Sequence, residues 1–295
     1  MSLASEWVAD ASPGAVRAAV EALLVRVPVA SADHVVLVPD AHYPFHPSTG
    51  LVTNPAVVEA LARTLLAEGA TVDVGFPPSP WLDVERTRRF LGYVGLADRL
   101  GLDLLDLVPA READRRRFAV DGQVATLGVP SALVDANVVV VPSLRTDPRQ
   151  GVAGALATLA AALADGAPSP AQVAAATSAL QPTLGVVDAT YSYAGEPRAS
   201  DFLLAGTDLR ELDRAAAVLL STDTAAIPAL VRSTGTERPL PSVDGPPLSA
   251  LAATVADGRA PDVSDPGWPM RAGYRLYARL TGDVVPPQFL EATDG

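Results

Sequence analysis

Apolar residues along this chain fall into blocks of strand length, separated by longer stretches in which they recur at helical spacing. The blocks are HVVLVP at 34–39, TVDVGF at 71–76, LDLLDLV at 102–108, NVVVVP at 137–142 and TLGVVD at 183–188. Such alternation is the pattern of an α/β fold: a mainly parallel sheet with helices on both faces. PAVVEALARTLLAEGA predicts a helix that starts at Pro55, where a missing N–H costs nothing, and stops at Gly69. Gly151 to Asp165 predicts a second helix, rich enough in small residues to pack closely on the sheet, and Pro168 to Leu180 a third. Phe118 to Leu127 alternates around Asp121-Gly122 and predicts a small hairpin insertion with a tight turn. The basic run Arg115 to Arg117 just before it reads as a solvated edge.

After Gly235 the pattern weakens. TERPLPSVDGPPLS has the Pro, Gly and Ser content of a linker, and beyond it come one short helix at 248–256 and the aromatic-basic segment GWPMRAGYRLYARL. The expected organisation is a core domain over 1–235 and a linker with a C-terminal extension over 236–295, packed on the core. Arg271, Arg275 and Arg279 recur every four residues beside Tyr274 and Tyr277. This suits a helix docked on an acidic surface better than a membrane-surface helix, which needs more apolar bulk.

Composition narrows the chemistry. With 295 residues, 49% of them hydrophobic, the chain can bury a full core. Cysteine is absent, which removes disulfides, thiolate nucleophiles, zinc–thiolate sites and iron–sulfur clusters held by cysteine. All 22 Lys and Arg residues are arginine, so Schiff-base chemistry and the lysine-bearing phosphate loop are excluded as well. Arginine in place of lysine, with a net charge of −12, fits a GC-rich genome, either an ordinary bacterial one or that of a salt-adapted, haloarchaeal-like host. The negative balance argues against nonspecific nucleic-acid binding, which needs clustered cations. No apolar run is long enough to span a bilayer, and MSLASEWVADASPG lacks the basic and apolar regions of a secretory signal, so a cytoplasmic location is expected.

Ligands of open parallel sheets sit beyond the C-terminal ends of the strands. Two of the three histidines, His42 and His46, lie in the loop that follows the first block, together with Asp40. Pro44 and Pro47 keep this loop from being helical, so the His spacing is not the helical zinc pattern. A stiffened loop of this kind could gather Asp40, His42 and His46, with Asp147, around one divalent metal, or its histidines could serve an ordered loop alone. A second loop, PSLRTDPRQGVAG at 142–154, places Arg145 and Arg149 before a glycine-bounded helix start, a reasonable anion cradle. A third, DATYSYAGEPRASD at 188–201, offers Asp188, Tyr191, Tyr193, Glu196 and Arg198, either as proton-transfer groups or as a lid. A glycine-rich dinucleotide fingerprint after the first strand and a Gly-x-Ser-x-Gly elbow are both missing.

Five segments taken in order, LVPD at 37–40, TNPAVVEALARTLLAEGATVDVG at 53–75, PSLRTD at 142–147, GVAGALAT at 151–158 and LLAGTDLRELDRAAAVLLSTDTAAIPAL at 203–230, carry a resemblance. Together they resemble the family catalogued as domain of unknown function 362. The resemblance implies the fold and the place of a site, but no defined reaction. The family's pattern has Lys, Asn, Lys, His, Lys and Asn where this chain has Val38, Asp40, Arg145, Asp147, Ala157 and Thr158. Many relatives carry iron–sulfur cysteines, so this chain would be a divergent member without a cluster. Asp213 matches the family's internal aspartate.

Two functions follow as expectations. In the first, the protein is an enzyme acting on a small anionic metabolite. Its substrate would be bound by Arg145, Arg149 and Arg198, with His42 or His46 as general base and Asp213 supporting them. In the second, it is a noncatalytic binding or assembly protein that has lost an ancestral site.

Overall fold

Val35, Val36, Leu37 and Val38 are all fully buried, and they point alternately into two apolar layers on opposite faces of one sheet. The computed structural model describes residues 3–10, 12–27, 29, 33–78, 84–109, 115–224, 227–230, 242–258, 272 and 276. Within these, the centre of the sheet is parallel. It is formed by β2 (His34–Pro39), β3 (Thr71–Phe76), β4 (Leu104–Asp106), β7 (Asn137–Val141) and β10 (Leu184–Tyr193), side by side in the order β4, β3, β2, β7, β10. β11 (Pro197–Gly206) and β1 (Leu3–Trp7) extend it antiparallel beyond β10, and β12 (Val243–Asp244) closes that edge.

Helices cover both faces, as the alternation of blocks predicts. α1 (Pro13–Arg26), α2 (Pro55–Ala67) and α4 (Tyr93–Leu100) supply one apolar layer. α6 (Ala155–Leu163), α7 (Pro170–Ala179), α8 (Leu209–Leu219) and α9 (Leu248–Asp257) supply the other. α3 (Val84–Phe90) and α5 (Ser131–Val134) are short. The hairpin insertion is β5 (Arg116–Val120) paired with β6 (Gln123–Leu127). Its turn has positive φ at both Asp121 and Gly122, the backbone that this dipeptide favours.

The order of strands places the functional region. From β2 the chain runs outward through β3 and β4, then returns to the other side of β2 as β7. The C-terminal ends of β2 and β7 therefore flank a topological switch point, where the crossover helices diverge and leave a crevice.

Three expected elements differ in extent. The helix expected over Gly151 to Asp165 is confined to Ala155–Leu163. Gly151, at φ 79, cannot sit in a right-handed helix, and with Val152 it forms β9, paired with β8 (Ser143–Asp147). The loop expected over 188–201 is in fact the far half of β10, a turn and the start of β11. Burial of nearly the whole of β10 explains this, since polar residues there pair across strands instead of facing water. The strand expected over 102–108 is reduced to Leu104–Asp106 at the edge of the sheet. In the region after Gly235, β12 pairs with β1 and α9 packs into the layer of α6, α7 and α8. The segment with Arg271, Arg275, Arg279, Tyr274 and Tyr277 lies outside the described residues.

One close approach locks the loop after β2 to β10. Gly50 has φ 68, and a Cβ built there would stand 2.4 Å from the backbone carbon of Ser192. Gly50→Ala is expected to cost roughly 2–4 kcal/mol from overpacking and left-handed strain together. Gly122→Ala, at φ 74 with nothing within 4 Å of its Cβ, should cost only about 1 kcal/mol. Urea unfolding of the two variants checks the difference.

Candidate functional site

Asp40 is the first residue beyond β2 and is almost completely buried. Its backbone N–H is shared by the Val141 carbonyl at 3.0 Å and the Thr53 hydroxyl at 2.9 Å. The Thr53 hydroxyl donates in turn to the Val141 carbonyl at 2.5 Å, and the Thr53 N–H donates to the Asp40 carbonyl at 2.8 Å. The loop after β2 is thus tied down at both ends, and the Asp40 side chain has one direction to take.

That carboxylate is half satisfied. Its Oδ2 accepts from the Ser143 hydroxyl at 3.1 Å and from Arg145 Nε at 3.0 Å. Its Oδ1 is buried without a hydrogen-bond partner among the described residues, and His42 Nε2 stands 3.7 Å from it. Ser143 and Arg145 reach Asp40 because the chain leaves β7 at Pro142 and continues as β8, which pairs with β10. The Arg145 side chain is only 12% exposed, and its Nη1 lies 3.7 Å from Asp147 Oδ2. Burial alone would lower the pKa of the guanidinium, but the Asp40 and Asp147 carboxylates and the hydrogen bond to Asp40 outweigh it and hold the pKa above its ordinary value.

A second carboxylate lies beside the first. Asp188 of β10 stands opposite Ser143 in register. Its Oδ2 accepts from the Asn54 N–H at 2.6 Å, and its Oδ1 from the Thr190 N–H at 2.9 Å and the Thr190 hydroxyl at 2.7 Å. Burial pushes Asp188 up to about 6, against the pull of those three bonds. Tyr93, on α4, is fully buried and packs edge-on against Phe76 at the end of β3. Its hydroxyl has no hydrogen-bond partner among the described residues.

Of the residues singled out in the sequence, the fold brings Asp40, His42, Arg145 and Asp147 together. The others are placed differently. His46 is exposed, and its Nδ1 takes the Ser48 N–H at 3.3 Å and lies 2.7 Å from the Ser48 hydroxyl, capping the short turn Pro47–Thr49. Asp147 Oδ1 accepts the N–H groups of Arg149 and Gln150, both at 2.8 Å, so it shapes the turn from β8 to β9 on which Arg149 is exposed. Arg198 pairs with Glu196 and donates to the Gly258 carbonyl at 2.7 Å, fastening β11 to the end of α9. Asp213 lies on α8, and its two oxygens accept the N–H groups of Ala155 at 2.6 Å and Leu156 at 3.0 Å. It therefore caps α6, and burial lifts it to about 7 against those two bonds.

Asp40, His42, His46 and Asp147 are expected from the sequence as ligands of a divalent metal. Among the described residues no three His, Asp or Glu side chains are grouped so as to hold an ion. Arg145 forms ion pairs with both Asp40 and Asp147. Ser143, Thr53, Asn54 and Tyr93 escape a reading of the sequence. Thr53 and Asn54 do carry a signal, as polar residues ahead of a helix-starting proline, whereas Tyr93 looks like any apolar-face residue of α4.

Fold and site together define an α/β protein with a buried aspartate–arginine pair at its switch point. The chain belongs to the family described as Domain of unknown function (DUF362), whose model matches residues 35–218, more than half of its length. No match was found among curated proteins or among solved structures. No helix among the described residues is long and apolar enough to cross a membrane.

Asp188 and Asp213 make the fold sensitive to pH. Each keeps its proton to higher pH when folded, about 6 and about 7, than the ordinary 3.8 of the unfolded chain. Their stabilising contribution is therefore full below pH 3.8 and is lost as pH rises through those folded values. Stability should fall by on the order of 2–4 kcal/mol between about pH 5 and pH 8. Urea titrations at the two pH values check this, and Asp188→Asn should flatten the lower part of the decline.

Proposed function

We propose that this protein is an enzyme that binds a small anionic metabolite in the switch-point crevice and moves a proton on it with His42. The observation that carries this reading is the half-satisfied Asp40 carboxylate, with Ser143 and Arg145 on one oxygen and His42 3.7 Å from the other. A carboxylate so placed can accept a hydrogen bond from Nε2–H and so favour the tautomer in which Nδ1 is the basic nitrogen. The 3.7 Å separation is slightly beyond a hydrogen bond, and contacts of this kind tighten when a ligand closes the site. Arg145 supplies the anion-binding edge. Its Nε is committed to Asp40, while Nη1 stands beyond hydrogen-bond distance of Asp147, so the outer guanidinium retains donors for a carboxylate or phosphate.

A second reading, a noncatalytic binding protein, is favoured by one observation. His46 and Asp213, both candidates for the chemistry, are engaged as caps of backbone N–H groups.

Proton NMR of a panel of small carboxylates and phosphates, incubated with the protein in deuterated water, separates the two. At least one compound should bind and show chemical change or deuterium at a carbon position. His42→Ala should bind it within about threefold yet lose the chemistry by about 100-fold or more. Arg145→Lys, which keeps the charge and loses the fork, should weaken binding by about tenfold. Binding without chemistry in the parent protein would favour the second reading, and binding indifferent to Arg145→Lys would sink both assignments of this crevice.

A further inference from the structure

Two buried polar atoms near the C-terminal ends of β2 and β3 have complementary needs that no described residue meets. Asp40 Oδ1 accepts no hydrogen bond, His42 Nε2 standing 3.7 Å away, and has room for a ligand donor beside that imidazole, while the Tyr93 hydroxyl is a donor without an acceptor, among the described residues. The two groups belong to neighbouring positions of the sheet. β2 and β3 run parallel in a register that pairs Leu37 with Val74, which, continued by two residues, brings Pro39 level with Phe76. Tyr93 packs on Phe76, with ring centroids 5.0 Å apart, and Asp40 follows Pro39 directly. Tyr93 also shares an apolar layer with Ala41 and Phe45 of the loop after β2. The phenol feels both carboxylates of the site. Burial raises it well above its ordinary value, and the Asp188 and Asp40 charges raise it further, so it stays a protonated donor across the physiological range.

A buried polar group left unpaired costs on the order of 1–3 kcal/mol, and two of complementary kind at one crevice mark a place for a group that satisfies both. A hydroxyl does so, since it donates to a carboxylate oxygen and accepts from a phenol at once. The charges of the site point the same way. Arg145 already faces Asp40 and Asp147, so a bare anion entering beside it meets two carboxylates as well as the cation. A ligand that adds a hydrogen-bond donor for Asp40 offsets that repulsion.

We infer that the ligand of this crevice is a hydroxyl-bearing small acid, its anionic end on Arg145 and its hydroxyl held between Tyr93 and Asp40 Oδ1. This assignment rests on the crevice being an anion site through Arg145, and it adds Tyr93 as a binding residue. Burial first, and then the Asp188 and Asp40 charges, keep the phenol neutral.

The test compares acetate, glycolate and glycine by ligand-observed NMR titration against the parent protein, Tyr93→Phe and Arg145→Lys. Glycolate is expected to bind at least about tenfold more tightly than acetate, and this advantage should shrink to about threefold or less in Tyr93→Phe. Both acids should weaken in Arg145→Lys. Thermal unfolding of Tyr93→Phe guards against a folding artefact. Because the hydroxyl has no partner among the described residues, its removal should leave the midpoint unchanged or slightly raised, whereas a structural role would lower it. Acetate and glycolate binding equally, each through Arg145, would overturn the hydroxyl assignment and leave the anion site standing. A preference for glycine that Tyr93→Phe does not alter would overturn it in favour of an ammonium group on Asp40. Binding of none of the three would overturn this inference together with the anion site on which it rests.

Discussion

The structure turns on a single electrostatic constraint: a carboxylate, that of Asp40, buried at the point where the chain reverses its progress across the sheet. An ionised carboxylate taken out of water costs several kcal/mol unless it is paired and hydrogen-bonded. The pairing here requires a particular path. Beyond β7 the chain departs at Pro142 and joins β10 as β8, and only on that path do Ser143 and Arg145 meet Asp40 Oδ2. The same path sets Ser143 opposite Asp188, whose carboxylate accepts the Asn54 N–H at the head of α2. Strand order, the course of β8 and the docking of α2 are thus consequences of placing charge at the crevice.

The other buried carboxylates are stabilised by different means, and the contrast explains their different uses. Asp40 faces a cation and keeps one oxygen open, an arrangement that leaves capacity for a ligand. Asp213 has both oxygens filled by the first N–H groups of α6. Gly154 is needed for that contact, because a Cβ there would stand 2.2 Å from Asp213 Oδ1. Asp213 therefore joins two helices of one apolar layer through their backbone, a role that uses up its hydrogen-bonding capacity. Asp188 lies between these cases, fully hydrogen-bonded yet adjacent to the open side of the crevice.

The fold was legible in the sequence where burial was continuous. Val35 to Val38 and Val138 to Val141 are apolar at every position because both faces are covered, and such runs cannot be mistaken for solvated loops. The far half of β10 was not legible, because Thr190 and Ser192 are fully buried yet polar, satisfied by Asp188 and Ser200. A local reading has no access to the partner of Ser192, which lies across the turn on the next strand. The site was legible in the same measure. Asp40, His42 and Arg145 announce themselves as charged or titratable residues directly beyond strands. His46 and Asp213 looked equally suitable, and only three-dimensional packing reveals that their acceptors are used by Ser48 and by α6.

The departures from the family pattern also change meaning once the contacts are known. Asp40 stands where an asparagine is expected and Arg145 where a lysine is expected, and taken singly each looks like erosion of a site. In the structure the two residues form one buried pair, Arg145 Nε on Asp40 Oδ2. An aspartate at this depth adds a charge that an asparagine would not. A guanidinium answers it with a planar fork, which fixes orientation where an ammonium would offer only a point charge. Asp147, in place of a histidine, caps the turn that carries the end of β8 and adds a second carboxylate near the same guanidinium. The remaining positions are accommodated by packing: Val38 is wholly buried in the sheet, and the Thr158 hydroxyl donates to the Gly154 carbonyl at 3.1 Å within α6. Arg145 keeps the positive charge that the family pattern has at its position, and the carboxylate that Asp40 adds is paired with it, so the two departures are accommodated as one buried ion pair.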